Sequence, residues 1–111
     1  MGWSPNHARI KERYSPKPNA VEARHEQRLR DHPCLGCGRF GVELHHTLRT
    51  FPAKRWRRDH RYQLPLCAAC HRGADGIHGL GSETLWETFH GLDNAEIAQS
   101  LWAESERIER G

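Results

Sequence analysis

The amino-acid sequence predicts a small α+β domain that is held together by a bound metal. Three observations indicate this class: the chain has 111 residues, its apolar content is low, and its four cysteines form two closely spaced pairs. Hydrophobic residues make up 36% of the chain and charged residues 28%. A chain of this size and composition buries only a modest core, so a metal or disulfide cross-link would add stability that packing alone does not supply.

Residues 1–18 predict a flexible basic arm, because they combine three prolines with few apolar side chains. Residues 19–111 are expected to form one domain. The sequence has no run of about 18 apolar residues, so we expect no membrane span. The N-terminus also lacks the apolar segment of a signal peptide, which favours a cytoplasmic location. In that compartment, paired cysteines are more often metal ligands than disulfides.

The first predicted elements are a helix and two strands. Asn19 followed by Glu22 has the pattern of a capping box, which predicts a short basic helix over about 20–30 that Pro33 ends. Two strands are predicted over the segments VELHHTL (42–48) and RYQLPLC (61–67), with a basic loop between them. Pro65 limits the second strand to an edge or irregular position.

The C-terminal half predicts helices separated by glycines. A short helix in the segment 68–81 is expected to be interrupted by Gly73 and Gly76. Ser82 caps a helix that Gly91 ends, and Asp93 or Asn94 caps the last helix. We expect four apolar side chains to pack these helices onto the strands: Trp86, Phe89, Leu92 and Trp102.

The strongest motif is the arrangement CxxC…CxxC formed by Cys34, Cys37, Cys67 and Cys70. Two CxxC turns present four thiolates to one ion and complete a tetrahedral zinc site. Because all four coordination positions are filled, the predicted zinc is structural. Two disulfides are the alternative. A thioredoxin-like redox pair is disfavoured because no βαβ pattern surrounds either motif.

Four histidines near the cysteine pairs are candidate functional residues: His45 and His46 lie between the two pairs, and His71 and His78 follow the second pair. Neighbouring side chains on a strand point to opposite faces, so His45 and His46 are expected to do different work. A zinc ion that pins the flanking cysteines together would also bring His71 close to this pair.

The segments CLGCG, ELHH and LPLCAACH together resemble the HNH, or ββα-metal, nuclease superfamily. Over about residues 30–102 the chain is similar to phage recombination-enhancement nucleases of Ref type and to related phage HNH domains. The resemblance implies a ββα-metal (HNH/treble-clef-like) core over about 34–80, with C-terminal flanking helices over about 83–109. It also implies hydrolysis of DNA phosphodiesters with one divalent metal, in phage or bacterial recombination or DNA processing.

The resemblance assigns a role to each histidine. His45 would bind the catalytic metal, and His46 would act as the general base for a water, since an unperturbed imidazole titrates near neutral pH. His71 matches the second ligand position. His78 matches the third if the segment GAD is a local insertion, and Asp75, four residues after His71, is the alternative. The catalytic metal stays open among Mg²⁺, Mn²⁺, Ni²⁺ and Zn²⁺.

One position departs from the family pattern. Where HNH nucleases commonly carry the middle Asn, this chain has Tyr62. His60 or Asp59 is expected to take over that role, for instance by holding the general base in one tautomer.

The charges are distributed unevenly along the chain. Residues 1–61 hold 14 of the 17 Lys and Arg but 6 of the 14 Asp and Glu, so this part has a formal charge of +8 and residues 62–111 one of −5. A basic half predicts contacts with a polyanion. The residues expected to contact DNA phosphates are Arg49, Lys54, Arg55, Arg57, Arg58 and Arg61.

Two alternatives to a nuclease stay open. The chain can be a non-catalytic zinc module with a degenerate HNH site that binds DNA or a recombination protein, for which a RecA-type recombinase filament is the candidate partner. It can also be a zinc domain that only mediates protein contacts. The sequence leaves the oligomeric state undetermined.

Overall fold

The computed structural model describes residues 17–47 and 59–111. These residues form four helices and two strands, in the order α1 (Ala20–Arg30), β1 (Val42–His46), β2 (Gln63–Cys67), α2 (Ala68–Arg72), α3 (Glu83–His90) and α4 (Asn94–Arg110). The result is a small α+β fold, as the sequence predicted. Most of the predicted arm and of the basic loop lies outside the described residues.

Helix α1 begins at the predicted capping box. The Asn19 side chain accepts a hydrogen bond from the backbone N–H of Glu22 at 2.8 Å, and the Glu22 carboxylate accepts one from the Asn19 N–H at 2.9 Å. The helix ends at Arg30, two residues before His32 and three before Pro33. Both ends therefore lie where the local sequence places them.

Helix α1 is joined to α4 by polar contacts and by a buried histidine. Arg24 and Arg28 form ion pairs with Glu109 at 2.7 and 2.6 Å, and they lower the pKa of that carboxyl group to about 2. His25 is only 1% exposed, with Nδ1 at 2.6 Å from the Ser105 hydroxyl oxygen. These contacts place α1 beside the sheet, where its Glu26 side chain can reach the turn before β2.

Strands β1 and β2 pair antiparallel, with Leu44 opposite Pro65 and His46 opposite Gln63. In this two-stranded sheet β2 is an edge strand, as Pro65 predicts. The second strand begins at Gln63 rather than at Arg61, because the Tyr62 N–H donates to the Asp59 carbonyl at 3.1 Å and closes a turn. The predicted start of that strand was therefore two residues too early.

The helix after β2 is short, as the glycines of this segment predicted. Helix α2 ends at Arg72, and the chain then folds back so that the N–H of Ile77 reaches the carbonyl of Cys70 at 2.8 Å. The His78 N–H donates to the His71 carbonyl at 3.0 Å in the same way. This return brings His78 beside His71.

The last two helices have the expected caps. The Ser82 hydroxyl accepts from the Leu85 N–H, and Gly91 ends α3 in the left-handed region, at a φ of 67°. For α4 the side chain that caps is Asp93, which accepts from the Glu96 N–H at 3.1 Å. The choice between Asp93 and Asn94 is thereby decided.

The core lies between the sheet, α3 and α4. Leu64, Leu66, Trp86 and Ala98 are fully buried, and Leu92 and Trp102 pack against them. The prediction for Phe89 was wrong, since its side chain is 73% exposed. Helix α3 turns the face that carries Trp86 toward the core, and Phe89, three residues on, falls outside that face.

Candidate functional site

The four cysteines come together in one group. Their sulfur atoms lie within 4.8 Å of one another, and all four thiols are free rather than joined as disulfides. Cys37 Sγ and Cys67 Sγ are 3.6 Å apart. Sulfur ligands on a tetrahedral zinc lie about 3.8 Å apart, given Zn–S bonds of about 2.3 Å. This four-cysteine group fits a metal such as zinc.

The first CxxC turn is built by backbone hydrogen bonds and a glycine. The Gly38 N–H donates to the Cys34 carbonyl at 2.8 Å, and the Gly36 N–H lies 3.3 Å from Cys34 Sγ. A Cβ atom on Gly36 would come within 2.8 Å of Cys70 Sγ. The turn therefore brings its backbone directly against the second cysteine pair, which only glycine allows.

The thiols differ in acidity. Burial alone would raise the pKa of Cys34, but backbone N–H groups of neighbouring residues lower it to about 7. Burial raises the pKa of Cys70 strongly, and contact with the other thiols raises it further. Without a cation the group would keep some of its thiols protonated. A divalent ion favours four thiolates, which is the ligand state of a structural zinc site.

Three histidines from three segments form a second group, called here the imidazole group: His45, His71 and His78. Their ligand nitrogens lie within 4.8 Å of one another. His71 Nε2 and His78 Nε2 are 3.1 Å apart. Asp75 is exposed and lies outside this group. Of the two candidates for a third ligand, the structure thus places His78 beside the other two histidines.

A glutamate fixes the tautomer of His71. Its Nδ1 lies 2.7 Å from Glu43 Oε1, and Arg72 donates two hydrogen bonds to the same carboxylate. Arg72, and after it His71, lower the pKa of Glu43 to about 2, so the carboxylate stays ionised and accepts from Nδ1–H. The lone pair of His71 is then on Nε2, which faces His78. A carboxylate behind a histidine is a common support for metal ligands.

A second glutamate supports His45. Glu83 lies 3.4 Å from His45 Nε2, and it accepts hydrogen bonds from Thr47 Oγ1 and, at 2.8 Å, from Asn94 Nδ2. Burial works to raise the pKa of Glu83, but these hydrogen bonds hold it below the usual value. Burial and the neighbouring histidines lower the pKa of His78, which favours the neutral imidazole that a metal needs.

His46 is held by a different set of residues. Its Nε2 lies 3.2 Å from His60 Nδ1, and that nitrogen lies 3.3 Å from Glu26 Oε2. His46, His60 and Glu26 are a third set whose ligand atoms all lie within 4.8 Å, called here the Glu26 group. The two adjacent histidines thus have different partners, as strand alternation predicts. His46 also lines the pocket that contains the imidazole group.

The side chains near the position of the usual Asn have different partners. Asp59 forms an ion pair with Arg61 at 2.8 Å, and Tyr62 is buried in the core at 9% exposure. The Arg61 guanidinium lies 4.8 Å from the centre of the Tyr62 ring. Of the two side chains proposed to replace Asn, His60 is the one beside His46. The other predicted DNA contacts lie outside the described residues: Arg49, Lys54, Arg55, Arg57 and Arg58.

Three acidic residues of the site were missed by the sequence analysis: Glu26, Glu43 and Glu83. Glu43 was recognisable, because it precedes His45 by two residues on a strand and so shares its face. Glu26 and Glu83 meet their histidines only through tertiary packing, and no short-range pattern in the sequence indicates them.

Comparisons with known proteins identify no relative of this chain. No protein-family model matches the chain, and neither does a curated protein or a solved structure. What the fold and the site define is a small α+β domain whose four-cysteine group can hold a metal such as zinc. Across residues 17–47 and 59–111, no helix has the length and apolar character needed to cross a membrane.

Proposed function

We propose that this protein is a metal-dependent DNA endonuclease of the HNH, or ββα-metal, type. One observation carries the proposal: three imidazoles converge in a pocket whose wall also includes His46, the neighbour of one of them. β1, β2 and α2 follow one another in the order of a ββα core, with His45 on β1 and His71 on α2. In this proposal the four-cysteine group holds a structural zinc.

The imidazole group would hold the catalytic ion. When bound, a divalent metal supplies positive charge that stabilises the phosphate and the leaving 3′ oxygen. Imidazole ligands suit Zn²⁺, Ni²⁺ and Mn²⁺ better than Mg²⁺, which prefers carboxylates and retained water. Glu43 keeps the lone pair of His71 on Nε2, and Glu83 holds His45 in place, so both act as positioning residues.

His46 would act as the general base. In this proposal His46 Nε2–H donates to His60 Nδ1, 3.2 Å away, which leaves the lone pair of His46 on Nδ1. That nitrogen can accept the proton of the attacking water while His60 fixes the ring. General-base catalysis of this kind contributes about 10²–10⁴-fold to a rate.

DNA is the proposed substrate because the phosphodiester chemistry of the site agrees with the charge of the chain. The formal charge of +8 in residues 1–61 provides cations for phosphate contacts and predicts affinity that falls with added salt. A recombinase filament on single-stranded DNA is the proposed partner, and a cytoplasmic location is part of the same proposal.

The test is cleavage of supercoiled plasmid by the purified, zinc-loaded protein. Mg²⁺, Mn²⁺, Ni²⁺ and EDTA are compared for the wild type, His46→Ala and a control, His32→Ala, whose histidine lies outside both histidine groups. We expect metal-dependent nicking that falls at least about 100-fold in His46→Ala and is unchanged in the control. Equal rates in wild type and His46→Ala would refute the assigned base.

A second candidate function is a non-catalytic zinc module that binds DNA. The observation in its favour is Tyr62, which is buried in the core at the position of the usual Asn. This alternative predicts salt-dependent DNA binding without cleavage of naked DNA or of recombinase-coated single strands. Cleavage on either substrate would exclude it.

A further inference from the structure

We propose that Glu26, His46 and His60 form a second divalent-metal site, with zinc-type chemistry, separate from the imidazole group and the four cysteines. The three ligand atoms lie within 4.8 Å of one another. Two imidazoles and one carboxylate are the protein ligands of several open zinc sites, which keep a position for water. The three side chains come from α1, the end of β1 and the turn before β2.

The distances fit a shared cation. His46 Nε2 and His60 Nδ1 are 3.2 Å apart, and His60 Nδ1 and Glu26 Oε2 are 3.3 Å apart. Nitrogen and oxygen ligands on a tetrahedral zinc lie about 3.3 Å apart, because their bonds to the metal are about 2.0–2.1 Å long. Hydrogen bonds from N–H groups span about 2.7–3.2 Å, so the His46–His60 distance also allows the hydrogen bond of the metal-free protein. Both distances are compatible with the edges of a tetrahedral metal site.

The hydrogens that neutral His46 and His60 place between these three atoms do not satisfy both contacts. If His46 Nε2 carries the hydrogen, it bonds to His60 Nδ1, and Glu26 Oε2 then faces the lone pair on that same nitrogen. If His60 Nδ1 carries it, one hydrogen is divided between two acceptors. A divalent cation accepts one lone pair from each of the three atoms at once.

A buried glutamine supports the group from behind. Gln63 is 1% exposed, and its Nε2 donates to Glu26 Oε2 at 2.9 Å and to the His60 carbonyl at 2.7 Å. One amide thus orients a ligand carboxylate and the backbone that carries a ligand imidazole. Outer partners of this kind raise metal affinity by about 10–100-fold. The side chains of Glu26 and His60 keep 14% and 13% exposure, so solvent ions can reach them.

The second site would control the first. This consequence rests on the proposed nuclease function, in which His46 is the general base. A metal ion bound to Nε2 of His46 would keep the hydrogen of the neutral imidazole on Nδ1, and that nitrogen then has no lone pair to accept a proton from water. Zinc in excess of the catalytic requirement is then an inhibitor.

Zinc binding to the full-length chain tests the site without any cleavage assay. Equilibrium dialysis compares four proteins: His71→Ala, which weakens the imidazole group, and the same variant combined with Glu26→Gln, His60→Gln or Glu106→Gln. Glu106 is an exposed glutamate outside all three groups, so it controls for the lost charge. Circular dichroism verifies that each protein is folded.

In the His71→Ala background we expect two tightly bound zinc ions per chain, one in the four-cysteine group and one in the Glu26 group. Glu26→Gln and His60→Gln should each weaken the second ion at least about tenfold, while Glu106→Gln leaves it unchanged. The imidazole ¹⁵N resonances of His46 and His60 should shift when zinc is added. Unaltered binding in Glu26→Gln and His60→Gln, or resonances that do not respond, would overturn the proposed site.

The inhibitory role is tested separately, in the nicking assay. The ratio of plasmid nicking without and with excess zinc should be large for the wild type and close to one for Glu26→Gln. If the protein does not cleave DNA at all, the binding result still decides the metal site, so the two proposals fail independently. Zinc inhibition of the same size in wild type and Glu26→Gln would refute the inhibitory role alone.

Discussion

At the residue scale, the site depends on which nitrogen of each histidine carries a hydrogen. Glu43 decides this for His71, because an ionised carboxylate 2.7 Å from Nδ1 requires the hydrogen there and leaves Nε2 for a metal. Arg72 in turn holds Glu43. One glutamate on β1 therefore orients a histidine on α2.

Replacing Glu43 with Gln tests this support. The amide oxygen can still accept from His71 Nδ1, but the charge is lost, so the imidazole is a weaker ligand. We expect the affinity of the imidazole group for Co²⁺ to fall about 10–100-fold. Visible absorption of bound Co²⁺ in zinc-loaded protein measures it.

Glu106→Gln is the matched control, since it removes the same charge from an exposed position on α4. It should bind Co²⁺ as the wild type does. Equal Co²⁺ affinity in Glu43→Gln and wild type would mean that Glu43 does not support the ligand.

At the scale of elements, two features build the site: the alternation of β1 and the tight CxxC turn. Because successive side chains of a strand point to opposite faces, Glu43 and His45 share one face of β1. His46 points to the other face and lies beside Glu26 and His60. The turn at Gly36 places the first cysteine pair against Cys70 and against the buried Trp86 ring, which an added Cβ would approach to 3.4 Å. The four-cysteine group and the core are thus in direct contact.

Gly36→Ala is expected to disturb both the four-cysteine group and the core packing beside it. Its Cβ would lie 2.8 Å from Cys70 Sγ, closer than any relaxed contact, so the cysteine pairs must separate. We expect a loss of about 1–3 kcal/mol in the free energy of unfolding, as for other overpacked sites, together with weaker zinc binding. Denaturant unfolding and competition with a zinc chelator measure the two effects.

Gly38→Ala distinguishes crowding from backbone strain. Gly38 has a φ of 78°, but among the described residues no atom beyond its chain neighbours lies within 4 Å of the position of its Cβ. Its substitution should cost about 1–2 kcal/mol through the left-handed backbone alone and leave zinc affinity unchanged. Similar losses of zinc affinity in both variants would contradict the role given to the Gly36 contact.

At the scale of the whole molecule, the described core is small and includes Cys34 and Cys67 among its buried members. A metal bound by the four-cysteine group would therefore be coupled to folding. Structural zinc in finger peptides binds with an apparent free energy of about 10–16 kcal/mol, which is large compared with the stability of a small domain.

Removal of the metal should unfold the protein. We expect the helical circular dichroism signal to fall when a strong chelator extracts the metal, and to return when zinc is restored. His71→Ala should behave like the wild type here, because its four-cysteine group is intact. A metal-free protein with unchanged helical signal would contradict the coupling.

The sequence predicted the parts of this fold that depend on local patterns. The capping box at Asn19, the glycine that ends α3 and the first CxxC turn all lie where expected, because short-range hydrogen bonds and turn geometry determine them. Phe89 and Glu26 could not be placed, because the facing of a helix depends on how it packs. The choice of His78 over Asp75 required the fold-back after α2, which the sequence indicated only through its glycines.

The most direct test of the central claim is the dependence of plasmid nicking on Mn²⁺ concentration in three proteins: wild type, His78→Ala and Asp75→Ala. The claim is that His45, His71 and His78 hold the metal for DNA cleavage. It predicts that His78→Ala needs at least about tenfold more Mn²⁺ for half-maximal nicking, whereas Asp75→Ala matches the wild type. A shift in Asp75→Ala but not in His78→Ala would contradict the ligand assignment, and no metal-dependent nicking in any of the three would contradict the nuclease itself.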